Sequence, residues 1–275
     1  MRDSDPRIVL GLHRSRHERR LLTRALDLGV TAIDTSANYL GFRSHEVLAG
    51  TAGDLLPKFT LSTKVGYFQQ PGGVEHAVRD LGKEPDLVFL HNPEYSLPTG
   101  SARTRDLLAQ ACATLSRAAG QGLCRAWGIA TWDPTSLPSL IEPTTPKPSV
   151  LMVRAGLLVG SRTLDAAEAL TTAWGLDASS VRGMSPFGGS VRAPVWSRID
   201  PRVFLRSGAG LSRMQAAFRV AYQLPRVTSM AVGTDEPAHL GELLGALATE
   251  PDERMIGEYR RLLRGRPSAQ AARSS

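Results

Sequence analysis

Eight short apolar runs of strand length alternate with eight segments of helical period, and this alternation constrains the fold more than any other feature of the chain. The strand candidates are Ile8–Leu12, Thr31–Asp34, Phe59–Lys64, Leu87–His91, Cys124–Ala130, Ser149–Val153, Val181–Ser185 and Thr228–Val232. Helical patterns lie near Glu18–Leu28, Ser44–Ala49, Val74–Leu81, Thr104–Gly120, Ser136–Ile141, Thr163–Ala173, Ser212–Leu224 and Pro237–Leu247. Such alternation builds parallel βαβ units. Eight pairs predict an α/β chain closed as a (β/α)8 TIM barrel, which takes roughly 250 residues. The 275 residues, 42% hydrophobic, are enough for one such domain, expected over 1–265. The small, polar stretch 266–275 is expected to be a disordered tail. A doubly wound open sheet is the alternative, but no GxGxxG turn follows the first strand.

Composition removes several classes of function. No apolar run approaches the roughly 20 residues needed to span a bilayer, and the start MRDSDPR has the character of neither a signal peptide nor an anchor. A cytoplasmic protein with no membrane partner is expected. Cys112 and Cys124 lack metal-ligand spacing and read as small buried hydrophobes, so neither a disulfide nor a metal site is expected. The formal charge of +7 comes from arginine spread along the whole chain, without the aromatic-rich basic motif of a nucleic-acid module. The expected partner is a small molecule, anionic or aromatic, and both monomer and homodimer stay open. Arginine-rich, lysine-poor usage points to a high-GC bacterium and to specialised metabolism.

Asp34, Tyr39, Lys64 and His91 each fall at or just beyond the carboxyl end of a strand candidate, where a barrel carries its chemistry. Lys64 is one of only four lysines, with Lys58, Lys83 and Lys147. Inside FTLSTKVG its ammonium needs a buried counter-ion, and Asp34 is the natural one. Such a pair beside Tyr39 is expected to stabilise the phenolate and lower the phenol below its usual value of about 10. Tyr39 then exchanges protons near neutral pH. Singly, each residue has a blander role: a strand-ending turn for Asp34, a loop aromatic for Tyr39, a core histidine for His91. Their joint placement at successive strand ends favours catalysis. HRSRHERR at His13 to Arg20 reads first as a solvated loop entering a helix, and alternatively places His13, Arg14 or Arg16 against an acidic substrate.

These residues resemble the aldo-keto reductase superfamily over nearly the whole chain. ALDLGVTAIDTSANY is similar to its helix-to-strand signature, SHEVLAG to the helix after the tyrosine loop, LSTKVG to its lysine strand and LVFLHNPE to its histidine strand. Within the superfamily, DTSANYLGFRSHEVL and LSTKVGYF look closest to the bacterial sugar and small-alcohol dehydrogenase branch. The resemblance implies hydride transfer from NADP or NAD to a carbonyl, with Tyr39 as acid, His91 orienting the carbonyl oxygen, and Lys64 and Asp34 tuning Tyr39. It also implies a cofactor cleft built from Thr131, Ser185, Phe187, Gly233, Thr234, Asp235 and Glu242.

Departures from the family pattern fall along that cleft. Ala130 and Thr131 stand where Ser-Asn is common, Met152 where glutamine is usual, Met184 where an aromatic stacks on the nicotinamide, and Leu243 where asparagine faces adenine. Asp235 would repel a 2′-phosphate, whereas the backbone of Gly233 and Thr234 suits a diphosphate. A second possibility is therefore an enzyme without cofactor, a lyase, dehydratase, isomerase or cyclase using the same four residues for proton transfer. A third is a barrel kept only for binding. Substrate contacts are expected from His13, Arg14, Phe68, Tyr95, Trp132, Arg154 and Met184, with Trp196 a further wall. The long stretch from Gly188 to Gly210 reads as a lid whose Arg192 and Arg198 meet an anionic group.

Overall fold

The computed structural model describes residues 7–66, 73–97 and 102–265. Eight parallel strands, each three to six residues long, form a closed barrel in sequential order. They are β1 (Arg7–Gly11), β2 (Ala32–Asp34), β3 (Thr60–Val65), β4 (Leu87–His91), β5 (Ala126–Thr131), β6 (Val150–Arg154), β7 (Val181–Met184) and β8 (Ser229–Val232). The helices are α1 (Arg19–Asp27), α2 (Ser44–Ala52), α3 (Gly73–Leu81), α4 (Pro93–Ser96), α5 (Ala102–Gly120), α6 (Ser161–Ala173), α7 (Val195–Arg198), α8 (Arg213–Ala221), α9 (Pro237–Ala246) and α10 (Glu253–Gly265). Phe68 and the stretch 266–275 lie outside the described residues.

Alternation along the strands sorts the core into two layers. Outward residues such as Leu10, Ile33, Val88, Ile129, Leu151 and Val153 pack against the helices in the largest apolar cluster. Inward residues Val9, Leu87, Phe89, Ala130, Met152 and Ala231 fill the barrel itself, as a small barrel requires. Cys112 and Cys124 are buried in the outer layer.

Two stretches differ from the sequence expectation. The helix expected at Ser136–Ile141 is instead a pair of 3-10 turns, Pro134–Ser136 and Pro138–Leu140, each opened by a proline. Pro138 has no N–H to give to a longer ladder, so the segment stays in single turns. The reverse holds at the end of the chain, where α10 occupies a stretch whose charges mask an apolar stripe. Ile256 is buried there, and Met255, Tyr259 and Leu263 pack against a third cluster.

Helix starts follow local chemistry. Ser212, expected as the first helical residue, is the N-cap of α8: its hydroxyl accepts from Gln215 N (3.2 Å), while the Gln215 side chain accepts from Ser212 N (2.9 Å). This reciprocal capping satisfies two amides that the helix cannot. Inside the barrel, Gly128 makes room for Phe89. A Cβ there would sit 2.4 Å from Val150 O and 2.8 Å from the Phe89 ring. Gly128→Ala is expected to destabilise the protein by about 1–3 kcal/mol, the usual cost of overpacking, and a urea midpoint equal to that of the unaltered protein would refute this account of the strand contact.

Candidate active site

Asp34, Lys64 and His91 occupy inward positions at the carboxyl ends of β2, β3 and β4. Asp34 and Lys64 are buried and paired directly. Lys64 Nζ also donates to Thr35 O (3.0 Å) and to the Tyr39 hydroxyl (3.3 Å), so its three protons have three acceptors. Ser62 Oγ lies 2.9 Å from Asp34 Oδ1 and 3.0 Å from Ile33 O. Burial alone would pull the Lys64 ammonium down; Asp34 and Tyr39 outweigh it and hold its pKa above the ordinary lysine value. The lysine is therefore a permanent cation at the foot of the tyrosine.

Tyr39 comes from the loop between β2 and α2. Its ring lies 4.9 Å from that of His13 and edge-on to that of His91 at 6.4 Å. The expectation that its phenol is lowered needs correction. Burial pushes the Tyr39 pKa above its usual value, and Lys64 offsets only part of that shift. In the free protein Tyr39 is thus a protonated acid at neutral pH. His91 is driven the other way, down to about 3, first by burial and then by the charge of Lys64. Its imidazole is neutral under physiological conditions. The one proton of Ser36 Oγ can go to Asn38 Oδ1 (2.7 Å), His91 Nδ1 (3.2 Å) or Lys64 O (3.4 Å). Given to Nδ1, it leaves Nε2–H as the donor for a ligand oxygen.

A second tier fixes the loops behind these groups. Thr35, whose carbonyl receives Lys64, bonds through Oγ1 to Ser44 Oγ (2.6 Å), and Ser44 meets His17 Nε2 at 2.7 Å. His17 Nδ1 lies 2.9 Å from Ser15 O, and His45 Nε2 lies 2.7 Å from Thr63 Oγ1. His17 is fully buried, so the HRSRHERR stretch is not simply a solvated loop. Among the described residues, six other than glycine have left-handed backbone: Arg14, His17, Leu40, Phe42, Asn92 and Ser185. All follow β1, β2, β4 or β7 on the catalytic face. Each such conformation costs about 1–2 kcal/mol, and strain of this kind gathers at working sites.

A cavity of about 930 Å³ opens over the tetrad and runs to the loop between β8 and α9. His13, Arg14, Trp132 and Met184 line it from the expected substrate set; Ser185, Phe187, Gly233, Thr234 and Asp235 line it from the expected cofactor set. Met152 and Met184 lie in its wall, and Arg192 reaches it from the loop after β7. Several expected residues lie elsewhere. Thr131 is buried on the outward side of β5, one residue past inward Ala130. Arg154 donates to Trp132 O (2.7 Å) and stacks on the Trp132 ring (4.9 Å), so it supports the wall without lining it. Glu242 is exposed on α9, Trp196 is buried in the third apolar cluster, and Arg198 is exposed on α7. Tyr95 faces a smaller recess of about 140 Å³ that shares Asn38, Lys64, His91 and Asn92 with the main cavity.

Ser36, Ser62, Ser44 and His17 join the site without any local sequence mark. Parity is the one usable signal, since Ser62 precedes Lys64 by two and shares its face.

The sequence profile of the Aldo/keto reductase family matches residues 13–193. The chain belongs to the aldo/keto reductase family. Solved structures of similar fold include an aldo/keto reductase from Klebsiella pneumoniae in complex with NADP and acetate, 17% identical over 96% of this chain and 93% of that one, with a TM-score of 0.69. A holo-form aldo-keto reductase from Bacillus halodurans is 17% identical over 93% and 91% of the two chains, with a TM-score of 0.68. An aldo/keto reductase from Brucella melitensis is 16% identical over 93% and 94%, with a TM-score of 0.66. No curated protein matches the chain by sequence.

The cavity can be tested for the dinucleotide that the family implies. Gly11 and Gly233 approach closely where β1 adjoins β8, a Cβ on Gly233 standing 3.1 Å from Gly11 O, and both line the cavity. The carboxylate of Asp235 accepts from Arg16 N (3.2 Å) and lies 3.8 Å from Arg16 Nε, clasping the β1 loop to the β8 loop. Backbone of this kind would suit a diphosphate, and the Asp235 carboxylate, already met by Arg16, offers nothing attractive to a 2′-phosphate.

The buried imidazoles also set acid stability. His91 at about 3, His45 at about 4 and a lowered His17 all refuse protons that the unfolded chain accepts below its histidine pKa of 6.5. Stability is therefore complete above that value and falls as pH drops below it. For His45 the loss is about 1.4 kcal/mol per pH unit between roughly 6 and 4. Tm should fall on acidification from pH 7 to 5, and His45→Gln should flatten that slope; an unchanged slope would exclude His45 as a contributor.

Proposed function

We propose that the protein reduces a carbonyl to an alcohol, or runs the reverse oxidation, with a nicotinamide cofactor. The observation that carries this reading is the Tyr39 hydroxyl 3.3 Å from Lys64 Nζ, above a buried ion pair and open to a cavity that continues to Gly233 and Thr234. When bound, the cofactor supplies the hydride. His91 Nε2–H holds the carbonyl oxygen in place. Tyr39 gives its proton to that oxygen as negative charge develops there. The phenolate left behind sits against the Lys64 ammonium, which Asp34 keeps charged and aimed. In the oxidative direction the same phenolate takes the alcohol proton.

Gly233 and Thr234 would hold the diphosphate by backbone, with Ser185, Phe187 and Arg192 on the opposite wall. Arg14 and Arg192 line the cavity, and among the described residues neither guanidinium is paired, which favours a substrate or cofactor carrying negative charge. Met184, at the position where the family places an aromatic, and Met152 beside it in the wall are what favour the second reading, proton transfer without a cofactor.

Tyr39→Phe is expected to lower kcat by about 10²–10⁴, the range of general acid catalysis, while nicotinamide binding followed by fluorescence stays unchanged. Full activity of that variant would sink the proton-donor role. In the same titration NADH should bind at least as tightly as NADPH, and Asp235→Arg should swing the preference to NADPH. Clear NADPH preference in the unaltered protein would contradict the part given to Asp235. Turnover in rigorously nicotinamide-free protein would move the site to elimination, isomerisation or cyclisation.

A further inference from the structure

Below the catalytic pair, β7 places a second cation inside the barrel. Arg182 pairs in register with Met152 of β6 and Ser229 of β8, and Met152 is part of the inward-facing core. Its guanidinium lies 5.8 Å from the centre of the Phe89 ring, and Nη1 donates to Ser62 Oγ at 3.3 Å. That hydroxyl is 2.9 Å from Asp34 Oδ1. A continuous polar path therefore joins Arg182, Ser62, Asp34, Lys64 and Tyr39.

Enclosing a guanidinium here is costly. Burial lowers its pKa, the charge of Asp34 opposes that shift, and Arg7 reinforces it. An arginine kept only for packing would be replaceable by a long apolar side chain at a gain in stability. This one spends its bond on the hydroxyl that holds the catalytic carboxylate. By donating into a lone pair of Ser62, it also polarises the Ser62 proton toward Asp34. The charge count matters as well: Lys64 and Arg182 give two positive charges against one negative charge on Asp34. These three groups together are cationic by one unit, and a phenolate on Tyr39 would balance them.

We propose that Arg182 is a positioning residue for proton transfer, holding Asp34 through Ser62 and leaving the barrel interior with surplus positive charge that favours the Tyr39 phenolate. Its consequence for turnover rests on Tyr39 being the proton donor, but its effect on Tyr39 ionisation does not.

The test is a direct titration of Tyr39 by NMR in protein carrying ¹³C-labelled tyrosine, with the signal assigned by its loss in Tyr39→Phe. The other groups facing Tyr39, namely Asp34, Lys64, His13 and His91, are kept in every variant. In Arg182→Met the Tyr39 titration should move up by about one pH unit, a tenfold rise in proton affinity. kcat should fall about tenfold with KM little changed, and Arg182→Lys should recover part of both effects. Ser62→Ala, which keeps the charge and breaks the path, should move Tyr39 in the same direction by less. An unmoved Tyr39 titration in folded Arg182→Met overturns the proposal and leaves Arg182 a packing residue, whatever its Tm. If Arg182→Met does not fold, an unmoved titration in both Arg182→Lys and Ser62→Ala overturns it equally. Retained turnover in Tyr39→Phe would defeat the proposed reaction while the titration still reported the coupling.

Discussion

The ion pair of Lys64 and Asp34 is the constraint around which the catalytic face is arranged. An ammonium and a carboxylate taken out of water must satisfy each other and every remaining proton and lone pair, or the desolvation cost is unrecovered. Here the remaining valences go to Thr35 O, the Tyr39 hydroxyl and Ser62. Two of those partners are tied down in turn, Thr35 through Ser44 and His17, and Ser62 through Arg182. The loops above the barrel are thereby committed to one geometry, and the left-handed residues among them show that the commitment overrides local backbone preference.

Charge in the site is one-sided for the same reason. Burial keeps His91, His17 and His45 neutral and Tyr39 protonated, so the fixed charge in direct contact with the Tyr39 hydroxyl is that of Lys64. A neutral imidazole can only donate or accept a hydrogen bond, so in the proposed reaction it leaves the acid role to Tyr39. Roles among the four residues follow from which form each environment permits, not from residue type alone.

The placement of Asp34, Lys64 and His91 at strand ends was legible in the sequence, because strand parity is a strong signal. Leu87–His91 matched its predicted bounds, and the other strands shifted by one or two residues. Parity, not strand length, decided face. Thr131, one past inward Ala130, falls on the outer layer, and Arg154, two past inward Met152, spends its guanidinium on Trp132. His17 was illegible for a different reason. Its burial follows from a left-handed turn and a hydroxyl 27 positions away at Ser44, neither of which is written in HRSRHERR. In α10 the apolar stripe was hidden by arginines whose partners, Glu168 and Asp165 on α6, are distant in sequence.

The stretch from Gly188 to Gly210 is not a loose flap. It contains α7 and two 3-10 turns, and its Trp196, Phe204 and Leu205 are buried with Leu157, Ala216 and Ile256 in an apolar cluster of their own. Only its beginning, from Gly189 to Arg192, reaches the cavity. Anchorage and ligand contact are thus carried by different residues. Side chains at this edge can therefore change without disturbing either the anchor or the buried pair.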